Sequence, residues 1–129
     1  MIFVDTNVFM YAVGTRHYLR QPAIDFFAKA KGENTRLATS AEVIQELLHV
    51  YLPVARIYRF NAAVELIEDY QIEIWPLDNQ DVILAAQLHD SYPALSARDL
   101  CHLASCRRRG ANDLMTFDQS LRVAFDTFS

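Results

Sequence analysis

Three glycines and four prolines are all that interrupt 129 residues, and the chain has no repeat, no low-complexity segment and no Gly/Pro/Ser-rich stretch. A flexible linker between two domains is therefore not expected. The length suits one core rather than two, so residues 1–129 read as a single domain. Cysteine is equally scarce. Cys101 and Cys106 lie five apart on an expected helix and so face different sides, which fits neither a disulfide nor a metal cluster. They read as plain apolar residues in a reducing compartment. Long apolar runs are missing too: stretches such as Val82-Ile83-Leu84-Ala85-Ala86 fall far short of a membrane span. The first residues lack the basic region and apolar core of a secretion signal, so a cytoplasmic protein that avoids membranes is expected. The chain also lacks positive charge. Its formal net charge is -4, whereas a protein that held nucleic acid by electrostatics alone would be basic. That objection weakens if the acids surround a divalent cation, which reverses the local sign. Only Lys29 and Lys31 are lysines; the other basic residues are arginines, the side chain best shaped for bidentate phosphate contacts.

What is present is ordinary globular material, 52 % apolar and 22 % charged, which excludes disorder. Short apolar runs alternate with longer segments of helical period. Ile2-Phe3-Val4 reads as a buried strand. Residues 22–31 read as a helix between Pro22 and Gly32. Leu37-Ala38-Thr39 is a second strand, after which Ser40 caps a helix to about residue 52. Pro53 opens another helix that reaches Tyr70. Residues 72–77 alternate and form a third strand. Asp78 or Asn79 caps a helix to about Ser91. A further helix runs from about Ala97 to Arg109 and is stopped by Gly110. Residues 114–117 form a fourth strand, a short helix follows, and residues 124–128 are a candidate fifth strand. Strands alternating with helices imply an α/β fold with a mostly parallel sheet of four to five strands, covered on both faces. In such sheets ligands bind outside the carboxyl ends of the strands.

That rule directs attention to carboxylates. Asp5 follows the first strand directly, and Asp118 follows the fourth. Each is also a plausible helix cap, and capping alone accounts for either residue taken singly. In the helix after Ser40 the apolar arc holds Val43, Ile44, Leu47, Leu48, Val50 and Tyr51. Glu46 lies at its margin, where it can reach a cleft beside the core, and Glu42 lies farther out. Asp99 sits in the first turn of its helix with Leu103 and Cys106 beside it, so it points inward. A carboxylate there favours the helix dipole, but a half-buried one also needs a base or a metal as partner, and Arg98 is one available base. Four acids from four elements suit a hard cation such as Mg²⁺. His102 falls on a neighbouring face and reads as a packing or supporting histidine rather than a ligand. Arg107, Arg108 and Arg109 offer a possible contact to an RNA backbone, although cations at a helix C-terminus also complement its dipole. Tyr51, Tyr58 and Phe60 are candidates for stacking on bases, for the core, or for an interface.

Four sequence blocks carry a resemblance. Asp5-Thr6-Asn7-Val8-Phe9-Met10-Tyr11 resembles the opening D-[TS]-N-x-apolar-apolar-Y signature of PIN domains. Ser40-Ala41-Glu42-Val43-Ile44-Gln45-Glu46-Leu47 resembles their S-x-x-apolar-apolar-x-E-L segment. The run from Leu95 to Ala104 resembles L-S-x-R-D-x-x-H-x-A, and Leu114-Met115-Thr116-Phe117-Asp118 resembles the closing apolar-apolar-T-x-D. All four occur in order and span almost the whole chain, and the compact size is most similar to the VapC-type toxins of toxin–antitoxin pairs. The resemblance implies a three-layer α/β/α fold and an endoribonuclease whose Asp5, Glu46, Asp99 and Asp118 hold catalytic Mg²⁺ or Mn²⁺ that activates water. It implies supporting roles for Asn7 and Thr116, an RNA substrate, a homodimer, and an antitoxin encoded nearby. It departs from the family after Asp118, where Gln119-Ser120-Leu121 replaces the usual acid and aromatic. Two rivals remain in view: a PIN scaffold that binds RNA or protein without cleaving, and a receiver-like phosphoacceptor domain. The second needs a late lysine that this chain lacks.

Overall fold

The computed structural model describes residues 1–127. Four short strands, β1 (Ile2–Val4), β2 (Leu37–Ser40), β3 (Glu73–Trp75) and β4 (Asp113–Met115), form one sheet in the order β3-β2-β1-β4. Every neighbouring pair is parallel. The register aligns Val4 with Met115 and Ser40 with Trp75, so all four strands end at one edge.

Among the described residues there are seven α-helices, six between the strands and one after β4: α1 (Thr6–Val13), α2 (Arg20–Gly32), α3 (Ala41–Tyr51), α4 (Ile57–Asp69), α5 (Asn79–Leu88), α6 (Ala97–Arg109) and α7 (Gln119–Asp126). From β1 to β3 the chain steps one way across the sheet through α1 to α4. It then returns through α5 and α6 to β4 on the far side of β1. Right-handed crossovers in opposite directions put those two helix groups on opposite faces. In agreement, α1 packs against α2, α3 and α4, while α5 packs against α6. Both Phe3 and Val4, which point to opposite faces of β1, are fully buried. The result is the three-layer α/β/α sandwich expected from the sequence.

The structure corrects three local expectations. Residues 124–126 belong to helix α7, not to a fifth strand; Phe128 lies outside the described residues. The strand pattern was misleading because α7 is a short amphipathic helix that buries only Leu121 and Ala124. The helix expected from Pro53 to Tyr70 is instead a 3₁₀ turn (Leu52–Val54), then Ala55 in the left-handed region at φ 57°, then α4. Proline at the start of the turn has no N–H to continue helix α3. Finally, α1 had not been read as a separate element. Its run from Val8 to Val13 is apolar without interruption, so no polar face marks its period. Other caps are as read: Ser40 accepts the Val43 amide at 3.2 Å, Asp78 caps α5, and Gly110 closes α6 at φ 68°.

Candidate active site

Order β3-β2-β1-β4 makes the crevice between β1 and β4 the switch point of the sheet, where successive connections leave in opposite directions. Asp5 leaves β1 there, and Thr116, Phe117 and Asp118 leave β4 beside it. Capping and siting prove compatible. The buried Asp5 caps α1, taking the Thr6 amide on Oδ1 at 2.7 Å, and its Oδ2 accepts the Thr116 hydroxyl at 2.7 Å. Asp118 caps α7 by accepting the Ser120 and Leu121 amides on Oδ1, at 2.9 and 3.3 Å. Its own amide donates to Thr116 Oγ1 at 3.0 Å, so one hydroxyl ties the two aspartates into one turn. Asn7 completes the joint: it donates to Thr116 Oγ1 at 3.3 Å and accepts the Phe117 amide at 3.2 Å.

Glu46 enters from α3. Its Oε2 accepts the Thr6 hydroxyl at 3.0 Å, and its Oε1 lies 3.0 Å from His102 Nε2. The same nitrogen is 3.6 Å from Asp5 Oδ1. His102 is buried on α6, its ring 5.5 Å from that of Phe3 on β1. Burial alone would lower its pKa, but the Glu46 hydrogen bond and the Asp5 charge outweigh burial and hold it above the ordinary value. Burial works against the Glu46 carboxylate too, and the His102 contact reverses that and lowers it. Asp5 remains raised by burial despite His102, Thr116 and Thr6.

Asp99 is half-buried one turn before His102, its amide held by the Ser96 cap at 3.2 Å. Its carboxyl is raised by burial, then by the charge of Asp5, with Asp118 adding to the rise and His102 opposing it. Among the described residues no arginine or lysine pairs with Asp5, Glu46, Asp99 or Asp118, and no three acidic, histidine or cysteine side chains close on one point as a cation cage. Like charges on separate elements keep apart unless a cation draws them in. Arg98, considered as a partner of Asp99, turns instead to Glu42 at 3.8 Å, which gives that otherwise unassigned acid its contact.

The arginine triplet does not meet this site. It occupies the opposite end of α6, about 12–15 Å from Asp99 at 1.5 Å per residue. Arg108 and Arg109 are bound to the fully buried Asp81 at 2.6 and 2.9 Å and to Asp78 at 2.7 and 3.3 Å. The Arg108 and Arg109 guanidinium groups therefore dock α6 onto the capped start of α5. Tyr51 is buried and is no stacking platform. Two contacts escaped sequence reasoning: the Thr6 hydroxyl on Glu46, and His102 between Glu46 and Asp5. The three-residue spacing of Asp99 and His102 was the available signal for the second.

This constellation at the switch point of a parallel sheet defines a class: the chain belongs to the PIN-domain family, whose model, described as PIN domain, matches residues 2–125. That membership sets aside the receiver-like rival. Within the family the chain is 51 % identical over 125 residues to Ribonuclease VapC23 of Mycobacterium tuberculosis (strain ATCC 25618 / H37Rv), covering 97 % of this chain and 98 % of that protein. In fold it is similar to the crystal structure of Mycobacterium tuberculosis VapC20, described as a sarcin–ricin loop cleaving toxin. The TM-score is 0.81 at 18 % identity, over 96 % of this chain and 95 % of the other. A toxin–antitoxin complex from Klebsiella pneumoniae is also similar, with TM-score 0.68 at 16 % identity, over 92 % and 87 % of the two chains.

Proposed function

We propose that the protein is a metal-dependent endoribonuclease and the toxin of a type II toxin–antitoxin pair. The observation that carries this reading is the junction of Asp5 and Glu46 on one buried imidazole, with Asp99 and Asp118 coupled by charge, in a chain half identical to a named ribonuclease. The donor set fits Mg²⁺ or Mn²⁺: every candidate ligand atom is a carboxylate oxygen, and two of the acids, Asp5 and Asp99, are raised by burial, with no arginine or lysine paired to either among the described residues. Asp5, Glu46, Asp99 and Asp118 would hold the ion. When bound, it supplies Lewis acidity, polarising a phosphodiester and acidifying a water.

The chain's own residues then have distinct tasks. Thr6 and Thr116 fix the oxygens of Glu46 and Asp5. His102 donates to Glu46 and balances part of the charge of the cluster without exposing a base to solvent. Arg98, at the rim beside Glu42, gives a cation for an incoming phosphate. No side-chain nucleophile is required. An antitoxin partner is supported by the likeness to a toxin–antitoxin complex, and action in the cytoplasm fits such a pair. Among the described residues no helix is long and apolar enough to cross a membrane.

Mn²⁺ at millimolar concentration is expected to raise the melting temperature of wild type through selective binding to the folded state, and to raise that of Asp5→Asn much less. Equal melting curves for wild type with and without Mn²⁺ would remove the shared metal site. The protein is also proposed to form a homodimer through the junction of α3 and α4, where Leu52, Val54, Ile57 and Tyr58 are exposed together. Light scattering at tens of micromolar, without antitoxin, should give twice the 14.8 kDa chain mass; a monomer would count against the interface.

A further inference from the structure

A line of stacked rings leads away from the carboxylates. It begins at Phe117, between Thr116 and Asp118, whose ring meets Tyr11 of α1 edge to face at 5.7 Å. Tyr11 stacks on His17 at 4.6 Å, and His17 stacks on Tyr18 at 4.5 Å, with planes 26° and 28° apart. Phe117 and Tyr11 are half-buried, His17 is exposed, and Tyr18 is 80 % exposed. An exposed tyrosine on the surface of a soluble fold costs apolar hydration, and the local structure nevertheless holds it against a neighbour. His17 is fixed by its own turn: its Nδ1 accepts the Leu19 amide at 3.1 Å.

At the outer end of this line the charge has one sign. Arg16, Arg20 and His17 line a shallow hollow at the end of α1. Arg20 spends one N–H on the Gly14 carbonyl at 3.3 Å, and among the described residues neither arginine has an acidic partner. Asp25, the nearest acid in sequence, accepts from Gln21. In a chain of net charge -4, unpaired arginines beside an open aromatic face are complementary to a phosphodiester backbone carrying unstacked bases. A protein partner would call for an apolar patch, and this strip is instead planar rings flanked by cations.

We propose that Phe117, Tyr11, His17 and Tyr18 form a stacking track for single-stranded RNA, with Arg16 and Arg20 on its phosphates, that leads the strand to the carboxylate site. The track rests on the nuclease reading of that site, because it begins at the residue joining two of its members. Bases stack on Tyr18, which is 80 % exposed and backed by the His17 ring, and any base offers a π-face, so the track selects unpaired strand rather than sequence. Its contribution falls on substrate binding, several nucleotides from the bond that breaks.

Tyr18 and Arg16 lie on the surface, so their variants fold. Binding of a labelled single-stranded RNA of about ten nucleotides is measured by fluorescence anisotropy in EDTA with full-length wild type, Tyr18→Ala, Tyr18→Trp and Arg16→Ala. Cleavage of the same RNA is followed with Mn²⁺. Tyr18→Ala should weaken binding about five- to a hundred-fold and raise KM by more than it lowers kcat, whereas Tyr18→Trp restores wild-type values or better. Arg16→Ala should weaken binding and flatten its salt dependence. If wild type binds and cleaves while Tyr18→Ala and Arg16→Ala do so with unchanged affinity and KM, the track is wrong and the nuclease reading stands. If wild type binds in a Tyr18-dependent way without cleaving, the track stands and the nuclease reading falls. RNA that neither binds nor is cut overturns both.

Discussion

Asp99→Asn is expected to abolish RNA cleavage while leaving the metal-free protein as stable as wild type or more so. The carboxyl at this position is half-buried, is raised first by burial and then by the charge of Asp5, and has no basic partner beyond the coulombic reach of His102. A raised folded-state pKa means that the folded chain binds the proton more tightly than the unfolded one. Asp99 therefore costs no stability below the unfolded value, and the cost grows as pH rises from there through the folded value. Asparagine keeps the shape and drops that cost. In EDTA the variant should melt at or above wild type at neutral pH, and the two should converge below about pH 4, where carboxyl groups of ordinary pKa are protonated. Activity should fall at least ~100-fold, as expected when a group that holds the catalytic charge is neutralised. A variant that cleaves at near wild-type rate would remove Asp99 from the site. A variant that loses both activity and metal-free stability would mark Asp99 as a structural group instead.

Asp81→Ala should do the reverse: large loss of stability, small loss of activity per folded molecule. Asp81 is fully buried in the first turn of α5. One oxygen takes Arg108 and Arg109, and the other accepts the Asp78 amide at 3.0 Å in a reciprocal capping box. Burial works against its charge, but the hydrogen bonds from Arg109, from the Asp78 backbone and from Arg108 prevail and hold it below the usual carboxylate range. The sign is opposite to that of Asp99. This stability is present above the unfolded pKa and is lost as pH falls through the lowered folded value. Breaking a buried pair costs ~3–5 kcal/mol, and the low end applies because both guanidinia still reach water and still meet Asp78. That corresponds to a drop in melting temperature of roughly 10 °C, shrinking toward acid pH. The active end of α6 lies far from this lock, so cleavage scaled to folded protein should persist. A melting temperature within a degree or two of wild type would show that the lock contributes little.

These two aspartates also mark how much the sequence discloses. Asp5 and Asp118 were legible because a short apolar run ending in aspartate names both a strand end and a cap, and the carboxyl edge of a parallel sheet gathers such ends wherever they lie in the chain. Glu46 was legible from its helical phase beside Val50 at the margin of the apolar arc, and Asp99 from its phase between Leu103 and Cys106. The helix of residues 97–109 was read to its ends, since Ser96 and Gly110 punctuate it. The arginine triplet was legible as a helix terminus, but not as the anchor of Asp81, because two acids thirty positions away in another helix carry no local signature of their partner. His102 was legible as a packing or supporting histidine, but its partner was not, for a similar reason. Its phase relative to Asp99 is local, whereas its contact with Glu46 spans 56 positions and depends on how α3 and α6 meet across β1. Residues 124–126 misled because so short an apolar pattern does not separate a strand from the end of an amphipathic helix.

The activity proposed for the β1–β4 crevice is metal-assisted hydrolysis of RNA. It is tested most directly by incubating a 5′-labelled single-stranded RNA with the purified chain in Mn²⁺ or Mg²⁺, in EDTA, and with Asp5→Asn in Mn²⁺. Discrete fragments with 5′-phosphate and 3′-hydroxyl ends are predicted in the first case only. Cleavage that persists in EDTA, or equally in Asp5→Asn, would contradict it, as would an intact RNA with wild type under every metal condition.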